Sequence, residues 1–286
     1  MDKQAALQNY IDGMGVSQNP QFIKFVKDFL NFATDLDRDN IVRYTQHLRD
    51  QDFSSSTIEL WQRTLRALYR RNDVKWPLKR GENARIDPEE EEVYMLGSDR
   101  IQAMVEAAKS HKLPIVDAWL LALSTTYGLR LVELSRVTSQ RVDLTHRHIY
   151  VETAKGGEQR YHYLPDELMD LAERVLPYLS LVTYRYVSEA FPRIESMSGL
   201  THKNGVGWHA LRHSLLYYLI ESGVTEMAAT EFMRWSTPGN RSSMPKRYHK
   251  GQILGLDTEA GADIGRYRVQ DMALFEKHPF LPYWRG

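Results

Sequence analysis

The chain contains no cysteine. That excludes a disulfide-stapled fold, a zinc finger and a thiol nucleophile, and it suits a reducing compartment. Long apolar runs are missing as well. No stretch approaches the ~20 residues that a membrane helix needs, so no membrane partner is expected. The opening MDKQAALQNYIDG lacks the apolar core of a secretory leader, which points to a cytoplasmic location. Net charge is absent too, because 37 Lys and Arg balance 37 Asp and Glu. Zero net charge argues weakly against a nucleic-acid partner, but it can hide local patches. What remains is the composition of a soluble globular protein. Its 286 residues, 42% hydrophobic and 26% charged, suffice for one large or two ordinary domains with a real core.

Hydrophobic periodicity changes near residue 81. Phe22, Phe25, Val26, Phe29 and Leu30 follow helical spacing between Pro20 and Ala33. Asp35, Asp37 and Asp39 resemble the start of a calcium loop, but Asn40 and Gln46 occupy the slots that need Gly and Glu, so they are read as caps of a helix over 40–49. Ser54 to Ser56 precede a helix carrying Ile58, Trp61, Leu65 and Leu68. This helix and its continuation hold Arg63, Arg66, Arg70, Arg71, Lys75, Lys79 and Arg80 against Asp73 alone. Arg63, Arg66 and Arg70 share one face. It is either a solvated surface or a stripe that follows the phosphates of duplex DNA. Residues 82–92, ENARIDPEEEE, have no apolar period and end in an acidic run, so they read as a linker. Adjacent carboxylates such as Glu89 to Glu92 are usually a solvated strip rather than a metal site. The expectation is a helical domain over 1–81, a linker over 82–92 and a second domain over 93–286.

In the second part, Ser98 or Asp99 caps a helix with Ile101, Met104, Val105 and Ala108. The run from Pro114 to Tyr127 is so uniformly apolar that it reads as a central buried helix, ending at Gly128. Arg130 then opens a short helix, where free N–H groups and the dipole favour an anion, with Glu133 as its partner. Residues 142–164 read as a β segment with the turn Ala154–Glu158, and Lys155 at its tip. The AKGG there lacks the spacing of a phosphate-binding P-loop, and His146, His148 and His162 lack the companions of a metal site. Residues 166–179 and 181–191 carry helical patterns. His209 and Arg212, three apart, share a helix face. Gly223 ends that helix, a second short helix runs over 225–235, and the polar loop STPGNRSSMPKR leads to Tyr248. The stretch after Tyr248 is glycine-rich and reads as irregular. It ends in a cluster, Phe275, Phe280, Leu281, Tyr283 and Trp284, too apolar to leave in water. That cluster either folds back on its own domain or docks on a second copy of the chain.

A guanidinium fork matches two phosphate oxygens, and a tyrosine hydroxyl held among positive charges can act as a covalent nucleophile. The ordered set T-G-L-R-like turn with Arg130, Lys155 at a hairpin tip, H-x-L-R-H-S with His209 and Arg212, Trp235, and R-Y-H with Tyr248 resembles the tyrosine recombinase (phage integrase) family over nearly the whole chain. The resemblance implies a mostly α fold with a small antiparallel β-sheet: a helical core-binding domain, then a mixed catalytic domain, closing as a clamp on double-stranded DNA. It implies cleavage and rejoining through a 3′-phosphotyrosine at Tyr248, by a homo-oligomer (a tetramer) on paired DNA sites, with no metal and no cofactor. In that scheme Arg130 and Arg212 hold the phosphate, Lys155 is the general acid, His209 assists the nucleophile, and Trp235 donates one hydrogen bond. The pattern departs from the usual L-G-H, here Met233-Arg234-Trp235, and the loop to Tyr248 is long, which makes Tyr267 a second candidate nucleophile. Type IB topoisomerases, telomere resolvases and a non-catalytic DNA-binding regulator are the alternative readings.

Overall fold

The structure, a computed structural model, describes residues 2–15, 18–85, 94–153, 159–234 and 259–285, the side chains of 259–264 excepted. The chain divides into two compact units, Met1–Glu92 and Val93–Gly286.

The first unit contains four helices, α1 (Lys3–Asp12), α2 (Pro20–Phe32), α3 (Arg38–Asp50) and α4 (Ser55–Arg71). Each begins on a side-chain cap: Asp2, Asn19, Asp37 and Ser54 accept from backbone N–H groups of the first turn. Their apolar stripes meet in a core around Phe29, Ile41, Leu65 and Leu68. Helix α1 was not visible in the sequence. It buries only Ala6 and Tyr10, and Arg71 of α4 fixes its end by donating to the Tyr10 carbonyl at 2.7 Å. The expected linker starts later than residue 82. Arg80–Glu82 form a 3-10 turn, Asn83 accepts from the Trp76 indole at 2.9 Å, and the Ala84 amide donates to buried Gln62 at 2.7 Å. Residues 82–84 therefore pack as part of this unit.

The second unit is built around α6 (Ile115–Tyr127), buried along almost its full length. Helices α5 (Ser98–Lys109), α8 (Asp166–Val175), α9 (Tyr184–Met197) and α10 (Trp208–Glu221) pack on it. A three-stranded antiparallel sheet, β1 (Val142–Asp143), β2 (His148–Val151) and β3 (Arg160–Tyr163), runs in that order with Ile149 opposite His162. Short helices α7 (Leu131–Leu134) and α11 (Glu226–Phe232) flank it in sequence. The mostly helical fold with a small antiparallel sheet is as expected.

Two expectations change. The helix expected over 166–179 stops at Val175, and Pro177 lies in the 3-10 turn Leu176–Leu181 that follows. The stretch expected to be irregular is, from Glu259 to Phe275, a helix, α12, packed on β3. Beyond it the aromatic cluster turns back on its own unit. Phe280 is fully buried, Leu281 and Trp284 nearly so, all within the core that holds α6. The Trp284 indole donates to Thr125 at 3.1 Å, and His278 bonds the Thr126 carbonyl at 3.0 Å. Folding back in cis removes the need for a neighbouring copy to cover these side chains.

Candidate active site

Gly128 ends α6 in the left-handed conformation, φ +59°. A side chain there would be strained by the backbone angle, and the terminal methyl of Met233, 2.6 Å from its Cβ, would have to shift. The turn aims Arg130 away from the core, at the N-cap of α7. Glu133, one turn on, is 1% exposed and accepts from both ends of Arg130: the backbone N–H at 3.0 Å and Nη1 at 2.8 Å. The carboxylate therefore fixes the arginine as well as the helix start.

Arg212 comes from α10 and is wholly buried. Its Nη1 donates to the Gly128 carbonyl and its Nη2 to the Met233 carbonyl at 2.5 Å. Thus the turn that presents Arg130 also anchors Arg212, across 84 positions of sequence. A third guanidinium completes the group. Arg234, at the end of α11, reaches Glu133 Oε2 at 3.2 Å.

Burial works against the charge on Glu133, yet Arg234 and the hydrogen bonds from Arg130 prevail and hold its carboxyl down at about 2. Burial, then the charges of Arg234 and Arg130, act against the charge on Arg212. Among the described residues, Arg130 and Arg234 bond Glu133 and the charge of Arg212 adds to theirs in a largely dehydrated site, an arrangement that favours an added anion.

His209 is exposed on α10, one turn before buried Arg212, with its ring 4.5 Å edge-on from that of His213. Lys155, Trp235 and Tyr248 lie outside the described residues. Tyr267 is 9% exposed on α12, its ring under the Arg160 and Arg266 guanidinium groups at 4.6 and 4.8 Å. The model of the phage integrase family matches residues 95–250, more than half of the sequence.

The chain belongs to the phage integrase family. It is a tyrosine-type site-specific recombinase that cuts and rejoins DNA. A tyrosine recombinase, XerA, of Thermococcus kodakarensis is 26% identical over 246 residues, 79% of this chain and 84% of that protein. The solved lambda integrase dimer bound to a COC′ core site has a TM-score of 0.63 at 16% identity, covering 84% of this chain and 97% of that one. The XerH recombinase bound to its difH substrate has a TM-score of 0.56 at 17% identity, over 75% and 72% of the two chains. Both solved structures share the fold.

In the first unit, Arg63, Arg66 and Arg70 are exposed along one face of α4, and Lys75 is exposed beyond its end. Arg63 pairs loosely with Glu59 at 3.4 Å, and Arg66 lies over the Trp76 ring at 5.4 Å. Arg71 leaves the stripe, since its guanidinium sits 4.7 Å over the Tyr10 ring and bonds that residue's carbonyl. The sequence reading passed over Arg234 as a functional group. The signal was present, since an arginine stands where the family pattern carries glycine.

Proposed function

We propose that this recombinase cleaves duplex DNA with Tyr248, guided by Arg130 and Arg212. The observation that carries the reading is the excess of positive charge around Glu133, where Arg130, Arg212 and Arg234 converge. The phosphate at the scissile step is the anion that such a site suits. Arg130 and Arg212 offset the charge that grows on its non-bridging oxygens. Tyr248 loses its proton, with help from His209, and attacks phosphorus. The bond from phosphorus to the 5′-oxygen breaks, Lys155 gives that oxygen a proton, and the 3′-phosphate stays on Tyr248. A 5′-hydroxyl then reverses the step on a new partner. Trp235 donates its indole N–H to a phosphate oxygen. The link conserves the energy of the phosphodiester, so no nucleotide cofactor takes part.

The first unit is assigned as the core-binding domain, with Arg63, Arg66, Arg70 and Lys75 toward the duplex and Arg71 tied to Tyr10 instead, and the second as the catalytic domain. Four copies act on two paired sites in the cytoplasm.

Covalent trapping tests this. A pool of duplexes with random cores is nicked so that the released 5′-hydroxyl fragment diffuses away, and adducts are recovered and sequenced. The expected attachment maps to Tyr248 and is lost in Tyr248→Phe with DNA retention unchanged. An adduct that survives there and vanishes in Tyr267→Phe moves the nucleophile. Recovery of no adduct overturns strand cleavage.

A further inference from the structure

Arg234 is the last described residue before the stretch that carries Tyr248, and its φ is +57°. That backbone suits glycine and strains a larger residue. Its side chain is 1% exposed, although moving a guanidinium out of water is expensive. A methionine would fill the same space without the cost of burying a charge, so packing alone does not account for an arginine.

The contacts account for it. Arg234 Nη2 donates to Glu133 Oε2 at 3.2 Å and to the Tyr127 carbonyl at 3.4 Å. Its Nη1 donates to His162 Nε2 and to the Phe232 carbonyl. For Nε2 to accept, His162 must carry its proton on Nδ1, and that atom faces Asp271 Oδ2 at 3.1 Å. The imidazole is thus a neutral spacer, and Arg234 is held from one side by β3 and α12 while it reaches Glu133 on the other.

Charge arithmetic shows the consequence. Arg130 and Glu133 alone form a neutral pair. With Arg212 beside them the group carries one net positive charge, and Arg234, bonded to the same carboxylate as Arg130, raises that to two while Glu133 still orients Arg130. We propose that Arg234 is a positioning residue for strand cleavage, which offsets Glu133 so that Arg130 keeps its charge for the scissile phosphate. This rests on the assignment of Arg130 to that phosphate.

The test uses the full chain and the duplex recovered by covalent trapping, under single-turnover conditions. Arg234→Gly, which also relieves the backbone, should bind this duplex within about twofold of the parent and cleave it roughly 10- to 100-fold more slowly. A neutral methylphosphonate at the scissile position needs less positive charge, so on it the defect should shrink to within about threefold. Arg234→Lys should keep most of the rate. If the glycine variant fails to fold, Arg234→Gln takes its place with the same expectations. Cleavage at the parental rate, an equal defect on both substrates, or a lysine variant as slow as glycine would each overturn the proposal. Arg130→Ala is run beside it. If that variant cleaves normally, the phosphate assignment of Arg130 has failed. If it is slow and Arg234→Gly is not, the failure belongs to Arg234 alone.

Discussion

The Asp271 carboxylate of α12 meets the Arg160 guanidinium of β3 in the interior, where Asp271 is fully buried and Arg160 is 4% exposed. Asp271 also accepts from His162 and from the Tyr163 N–H at 2.9 Å. Burial alone would raise its pKa, but Arg160 and His162 bring it below the usual carboxylate range. One side chain thereby fastens the helix beyond Tyr248 to the sheet.

Asp271→Ala should destabilise the second unit by about 3–5 kcal/mol, because a buried guanidinium is left without its counter-charge. The double variant Arg160→Met, Asp271→Leu should recover most of that loss. Urea unfolding followed by far-ultraviolet circular dichroism measures both. Equal losses in the single and double variants would mean that packing rather than charge holds the contact.

Acid should weaken the second unit from about pH 6.5 downward. Burial pushes His162 down to about 3 despite Asp271, and His278 down to about 4 despite the Thr126 carbonyl. The unfolded chain takes up these protons near pH 6.5, whereas the folded chain refuses them until much lower. Stability is therefore full above 6.5 and falls as pH drops toward 4 and 3, by roughly 2 kcal/mol for each histidine at pH 5. Glu133 adds loss of the same sign, between its ordinary value of about 4.3 and about 2. Melting temperatures from pH 7.5 to 4.5 should fall steadily, and His278→Asn should flatten the curve.

Gly128→Ala should cost about 1–3 kcal/mol and slow cleavage at least 10-fold. It combines φ strain with a Cβ 2.6 Å from Met233 Cε and 3.3 Å from Leu215 Cδ2, beside the carbonyl that holds Arg212. Gly199→Ala is the control. It shares the positive φ, +74°, but meets nothing within 4 Å, so it should lose some stability and no cleavage. Thermal melts and single-turnover rates separate the two.

Reversing Arg63, Arg66 and Arg70 to Glu should weaken DNA binding more than 10-fold and lower its salt slope by about 2–3, since each phosphate contact contributes roughly 0.9 to the slope. The melting temperature should stay close to that of the parent, because all three side chains are exposed. A titration at several salt concentrations gives the answer, and an unchanged slope would make the stripe a plain solvated face.

What could be read from the sequence was local. The uniform apolar run of α6, the glycine turn before Arg130 and the His209–Arg212 spacing each lie within a few residues, where period and turn chemistry act directly. Helix α12 was misread because Gly261 and Gly265 weaken its intrinsic preference by about 1 kcal/mol each, and its anchorage on β3 outweighs that. The network through Asp271, Arg160, His162, Arg234 and Glu133 was invisible for another reason. Its contacts join residues 111, 109, 72 and 101 positions apart, which no local pattern records.

The bond from Trp284 to Thr125 spans 159 positions, and Phe280 and Leu281 fill the same core. A ribosome delivers α6 long before it delivers these side chains. The first unit, which ends at Glu92, can fold while synthesis continues. The second cannot seal its interior until residue 284 has emerged. A chain broken off earlier would carry the exposed arginines of α4 but an unfinished core around Arg130 and Arg212. Translation order thus completes the unit proposed to hold DNA before the unit that carries Arg130 and Arg212.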